Sequence, residues 1–183
     1  MKRAYLAEIV SPLGPVAFAT DEAGALLGVR FRNGRYPAAL AQRLKRAGFE
    51  LARDEKRTAA AREQLVEYFA GQRRSFDLPV VRRGSDFQEA VWEEVSRIPF
   101  GETRTYGEVA QAVGQPGEAE QVGSACAAND LWVVVPCHRV VGADGSLKGY
   151  AGGVHLKARL LAFEASQKPA AAASTPTASP ALL

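Results

Sequence analysis

The stretch TYGEVAQAVGQPGEAEQVGSACAAN, residues 105–129, decides the fold. Thr105 with Glu108 three residues on forms a capping box, in which the hydroxyl accepts from an orphan amide and the carboxylate reaches back to the cap. Tyr106, Val109, Ala110 and Val113 then recur at i, i+3, i+4 and i+7, one apolar helical face. Gly114-Gln-Pro-Gly117 is a turn, and a helix rich in small residues follows from Glu118 to Ala128, stopping at Asn129. Two short helices about a Gly-Pro turn read as helix-turn-helix, a unit that serves either plain packing or DNA docking.

Upstream, Ser85 and Gln88 make a second capping box ahead of a stripe of Phe87, Val91, Val95 and Ile98, which Pro99-Phe-Gly101 ends. Asp77 to Arg83, with Pro79 and a basic pair before Gly84, reads as a linker. In the first half, Tyr5–Val10, Val16–Thr20 and Leu26–Phe31 are β-like runs separated by turn residues, so an antiparallel meander is expected. Pro37 opens a helical stretch carrying Leu40 and Leu44. Thr58 to Gly71 places Ala61, Leu65, Tyr68 and Phe69 on one helix face. Beyond Asn129, Leu131 to Val135 is a strand-like apolar run, and a helix from Leu156 to Glu164 closes the globule. The expected fold is α/β: a small α/β domain with an antiparallel sheet over residues 1–80, then a mostly helical, winged-helix-like domain over 84–165. From Lys168 the sequence turns to Pro, Ala, Ser and Thr, a composition unable to offset its ordering entropy, so 168–183 is expected to be a disordered tail.

The composition bounds the function classes. With 183 residues, 47% hydrophobic and 23% charged, the chain is of ordinary globular type. No apolar run approaches the roughly 18 residues of a membrane helix. The start, MKRAYLAEIV, lacks the apolar core of a secretory signal, so the expected compartment is the cytoplasm. Two cysteines, Cys126 and Cys137, exclude a disulfide scaffold. The net charge of +3 is unevenly spread: the basic excess lies in the first 80 residues and residues 81–164 are net acidic. Such mild basicity fits either nucleic-acid contact or simple solubility.

Cys137 beside His138 is the arrangement that looks reactive. A free thiol is only a few per cent ionised at neutral pH, so a nucleophilic cysteine needs a base or a positive environment. Neighbours in an extended segment point to opposite faces, which favours proton transfer through a bound water over direct contact; an inert buried cysteine is the alternative. Glu164 lies on the apolar stripe of the last helix, where it either pairs with a histidine, fixing its tautomer, or forms a surface ion pair. The Cys and His spacings do not match a structural zinc site.

The run Ala127-Ala-Asn-Asp-Leu-Trp-Val-Val-Val-Pro-Cys-His-Arg-Val-Val141, with Gly149-Tyr150-Ala-Gly-Gly153 and Leu160-Leu-Ala-Phe-Glu164, resembles the O6-alkylguanine-DNA alkyltransferase family over residues 85–165. In the first half, residues 1–80, the resemblance is to the family's ribonuclease-H-like domain, in coarse layout only. The resemblance implies DNA repair in which Cys137 accepts the alkyl group from O6 of guanine irreversibly, once per molecule. It implies a relay of His138, through water, and Glu164. Tyr106 would crowd the 3′ phosphate and help rotate the nucleotide out, and Asn129 would brace the active-site turn. Tyr150, the amide of Ala151 and the carbonyls of Cys137 and Val140 would read the extruded guanine, with Trp132 also at the substrate pocket. The implied partner is double-stranded DNA containing alkylated guanine, met by a monomer without cofactor or metal.

Two positions depart from the family pattern. Glu120 stands where the recognition helix normally supplies an arginine to fill the vacated stack, and Asp130 replaces a proline after Asn129. Residues 105–129 carry Glu108, Glu118 and Glu120 and no Lys or Arg, leaving phosphate contacts to backbone amides and the helix N-terminus. These departures keep a second reading open, a non-catalytic or impaired homologue that binds lesions or a partner.

Overall fold

The computed structural model describes residues 2–32 and 39–168. Three antiparallel strands open the chain: β1 (Lys2–Ser11), β2 (Gly14–Thr20) and β3 (Leu26–Phe31). They form the expected meander, joined by a strand not anticipated from the sequence. After α1 (Ala39–Arg46), β4 (Phe49–Ala52) pairs parallel with β1, giving a mixed sheet of order β3-β2-β1-β4. Leu40 and Leu44 are buried on α1 as the spacing predicted, while Pro37 lies outside the described residues. The helix α2 (Glu55–Phe69) begins three residues before the expected Thr58, because the Asp54 side chain accepts from the amides of Lys56 and Arg57 and so caps an earlier turn. Its buried residues Ala61, Leu65, Tyr68 and Phe69 pack with Val16, Phe18, Leu26 and Val29 of the sheet.

The second half is helical: α3 (Asp86–Ser96), α4 (Tyr106–Ala112), α5 (Ala119–Ala127) and α6 (Val154–Ser166). Both capping boxes form, Ser85 with Gln88 and Thr105 with Glu108. Val91, Val95 and Ile98 are buried, with Phe87 at the margin of the core. Trp92 joins them and ties α3 to α5 by donating from its indole to the Ala125 carbonyl at 2.8 Å. Two short strands, β5 (Arg104–Thr105) and β6 (Val140–Val141), pair parallel beside α4.

The segment read as a linker is not free. The amide of Leu26 donates to Pro79 O and that of Val81 to Leu26 O, both at 2.8 Å, so residues 79–81 run along the outer edge of β3. Farther along the same edge, Val29 N donates to Asp130 O at 2.8 Å and Trp132 N to Val29 O at 3.1 Å. The open edge of the first sheet is thereby covered by backbone from the second half, and one hydrophobic core runs through both.

The strand expected over Leu131–Val135 does not form beyond that bridge. The chain instead turns, with Val135 N bonded to Leu131 O at 2.8 Å and Val133 at φ 73°. The run is apolar because it is buried, and its polar groups are satisfied by a side chain: Asn129 Oδ1 accepts from Leu131 N at 2.8 Å and its Nδ2 donates to Val135 O at 2.9 Å. The segment Cys137–Arg139 is likewise a 3₁₀ turn and not extended backbone. The tail from residue 169 onward lies outside the described residues.

Candidate active site

Cys137 sits on the 3₁₀ turn between the Asn129-braced loop and β6, buried but lining a cavity of about 570 Å³. Tyr106 from α4, Glu120, Gly123 and Cys126 from α5, and Tyr150 with Ala151 from the following loop complete its wall. Asn129 directs an N–H at the sulfur, Nδ2 to Sγ being 3.5 Å. Cys126 and burial push the Cys137 thiol well up from its ordinary value, so the resting group is the thiol.

Behind the sulfur lies a buried polar cluster centred on Glu164 of α6. His138 Nε2 is 2.8 Å from Glu164 Oε1. Arg139 donates from Nε and Nη2 to the same carboxylate at 2.8–3.2 Å and from Nη1 to Ile98 O at 2.6 Å. Tyr68 of α2 donates its hydroxyl to Oε1 at 2.7 Å, and the Gly101 amide to Oε2 at 3.1 Å. Burial alone would raise the Glu164 carboxyl, but the hydrogen bonds and charges of His138 and Arg139 outweigh it and hold the group far below the usual range. Burial lowers His138, so its imidazole is neutral at pH 7. A neutral ring facing an ionised carboxylate must present its N–H there. Nε2 therefore carries the proton, and Nδ1, buried and without a partner among the described residues, keeps its lone pair.

The structure thus joins Cys137, Tyr106, Tyr150, Ala151 and Glu120 around one cavity, and His138 with Glu164 behind it. Two expected pocket residues stand back from it. Trp132 is buried, donates its indole N–H to Asn129 O at 3.0 Å and packs on the Tyr150 ring at 5.6 Å; Val140 is buried at the start of β6. Both support the wall without lining it. Two charged residues escaped the sequence reading. Arg139 neutralises Glu164, and its only local signal was adjacency to His138. Lys157 is fully buried and donates to Tyr106 Oη at 3.1 Å, Leu147 O at 2.7 Å and Gly149 O at 3.3 Å; burial brings it down to about 8. Its place on the face of Leu160 and Glu164 was legible from helical spacing.

Two family models match, the ribonuclease-like domain of 6-O-methylguanine DNA methyltransferase over residues 4–81 and its DNA-binding domain over 86–166. The chain belongs to that family. A methylated-DNA–protein-cysteine methyltransferase of Methanosarcina acetivorans is 41% identical over 162 residues, covering 88% of this chain and 99% of the relative. The crystal structure of the Mycobacterium tuberculosis O6-methylguanine methyltransferase superposes with a TM-score of 0.77 at 39% identity, over 92% of this chain and 96% of that one. The same protein in complex with DNA gives 0.75 at 38% identity, over 91% and 96%. The methyltransferase layout of sheet domain and helical domain is therefore also that of this chain.

Because the Glu164 pKa is depressed in the folded state, its stabilisation is complete above the ordinary carboxyl value of about 4.5 and is lost as pH falls through the folded value. Glu164→Gln leaves Arg139 buried without its counter-charge and should cost about 3 kcal/mol at pH 7. Urea unfolding should show this deficit steady through neutral pH and narrowing below about 4.5. A deficit that instead widens on acidification would mean the carboxylate is not the ionised partner.

Proposed function

We propose that this methyltransferase-family chain repairs DNA by moving the alkyl group from O6 of guanine to Cys137 in a single irreversible turnover. The observation that carries the reading is the neutral His138, whose Nε2–H is held by Glu164 and whose Nδ1 is left as a buried acceptor next to the cysteine turn. Relatives named for methyl transfer from methylated DNA to a protein cysteine support it.

The chemistry follows from the placement of charge. Nδ1 of His138 takes the thiol proton through one bridging water, and the sulfur attacks the alkyl carbon as the C–O6 bond breaks. The imidazolium so formed is stabilised by Glu164, which is already ionised. The leaving guanine anion takes up one proton at N1, and the imidazolium releases the thiol's proton through the bridging water to solvent, so the proton count closes. Tyr150 is suited to donate toward the leaving base, since burial pushes its hydroxyl well up and keeps it protonated. Tyr106, pushed up to about 12 by burial and held by Lys157, remains a neutral wedge at the cavity mouth and turns the nucleotide out of the stack. Asn129 braces the turn and Ala151 offers its amide to the base.

Residues 1–80 act as the supporting domain and 84–165 as the DNA-binding and reacting one. The partner is duplex DNA carrying alkylated guanine, and the compartment is the cytoplasm, where free thiols persist. Of the departures that keep the non-catalytic reading open, Glu120 is exposed at the first turn of α5 on the cavity rim.

Intact mass after incubation with an O6-methylguanine duplex should rise by one methyl group, and peptide mapping should place it on Cys137 and not on Cys126. An unmodified chain with excess substrate would favour the non-catalytic reading. Glu120→Arg should tighten duplex binding and speed transfer, since it removes a negative charge near the phosphates and adds a side chain able to fill the gap; the gain should fade with salt. Unchanged affinity and rate at low salt would take α5 out of the groove.

A further inference from the structure

Asp130 follows the residue that braces the cysteine turn, and both of its carboxylate oxygens are taken by arginines of the sheet domain. Arg30 of β3 binds Oδ1 through Nε at 3.1 Å and through Nη2. Arg43 of α1 binds Oδ2 through Nε at 3.1 Å and Nη2 at 2.8 Å. Two guanidinium groups, each converging two N–H donors on one oxygen of the same carboxylate, fix its orientation in a way a single ion pair cannot. Arg30 is itself fixed by stacking over the Trp132 ring at 5.0 Å, and the Asp130 backbone is pinned by the Val29 amide. One residue earlier, Asn129 spans Leu131 N, Val135 O and Cys137 Sγ.

We propose that Asp130, clamped by Arg30 and Arg43, is a positioning residue for the Cys137 nucleophile, through which the sheet domain sets the reactivity of a thiol in the helical domain. The inference rests on the reading of Cys137 as the alkyl acceptor. The clamp holds the Asn129 amide against the sulfur, where its N–H stabilises the developing thiolate. Loosening Asp130 lets that donor drift while leaving the other groups that face the sulfur, Cys126, Tyr106, Tyr150 and Lys157, in place. Arg43 is about half exposed, with 48% of its side chain accessible, so its share of the clamp is open to screening by salt.

The test compares the full-length chain with Asp130→Asn and with Arg43→Gln, which keeps the Arg30 pair and so stays folded if Asp130→Asn does not. Cys137 alkylation by iodoacetamide, resolved by peptide mass, is followed against pH and sodium chloride, alongside single-turnover transfer from an O6-methylguanine duplex. In Asp130→Asn the alkylation profile should move to higher pH and transfer should slow on the order of tenfold, the scale expected of a small displacement at a reacting centre. Arg43→Gln should show a smaller loss in the same direction. Salt should slow iodoacetamide, an uncharged reagent, in the parent chain and leave Asp130→Asn unaffected. Folded variants with the parent profile, salt response and transfer rate would overturn the clamp. If the parent chain transfers no methyl group, the proposed function fails, and the iodoacetamide profiles still decide for or against the clamp.

Discussion

The arrangement depends on one buried carboxylate. Glu164 takes hydrogen bonds from Tyr68 of α2, Gly101 of the loop after α3, and His138 and Arg139 of the 3₁₀ turn. A buried ion costs several kcal/mol in lost hydration unless its lone pairs are met and its charge is balanced. Here both conditions hold, since Arg139 supplies the opposite charge and the remaining partners are neutral. The carboxylate therefore joins the sheet domain, the 3₁₀ turn of Cys137 and the last helix at a single point. Its ionisation also dictates the histidine tautomer, so the same contact that fastens the fold leaves Nδ1 as the acceptor that the proposed transfer uses.

What the sequence made legible was local. Capping boxes at Ser85 and Thr105 need only four residues, and the faces of α2, α3 and α4 need only a helical period; all are where the spacing put them. Glu164 on an apolar stripe left a histidine pair or a surface ion pair open; the pairing with His138 was implied by the family resemblance, and the 2.8 Å contact decides between the two. The misses are nonlocal. The strand β4 is four residues long and exists because β1 offers a parallel edge. The Leu131–Val135 run has a strand's composition, yet Asn129 satisfies the backbone groups a neighbouring strand would have met. Arg139 and Lys157 drew no reading from the sequence, because their charge is met by groups that the fold brings in from Glu164, Ile98, Tyr106 and Leu147. Trp132 and Val140, placed in the pocket by family likeness, stand behind it because the turn directs them into the core.

The resting site is held in check. Burial and Cys126 keep the Cys137 proton on, and burial keeps His138 neutral, so neither partner carries charge before substrate arrives. This suits the proposed single turnover, because a free thiolate would be open to adventitious alkylation. The face formed by α4 and α5 is similarly restrained. With Glu118 and Glu120 at the start of α5 and no basic residue from 105 to 129, attraction to a polyanion falls to backbone amides there and to cations elsewhere.

The state of His138 is therefore the point on which the account turns, and nitrogen-15 NMR of the imidazole reads it directly. At pH 7 the ring should be neutral with Nε2 protonated and Nδ1 bare, staying so until the pH falls below the usual histidine value of about 6.5. An imidazolium at pH 7, or a proton resident on Nδ1, would contradict it, because Nδ1 could then accept nothing.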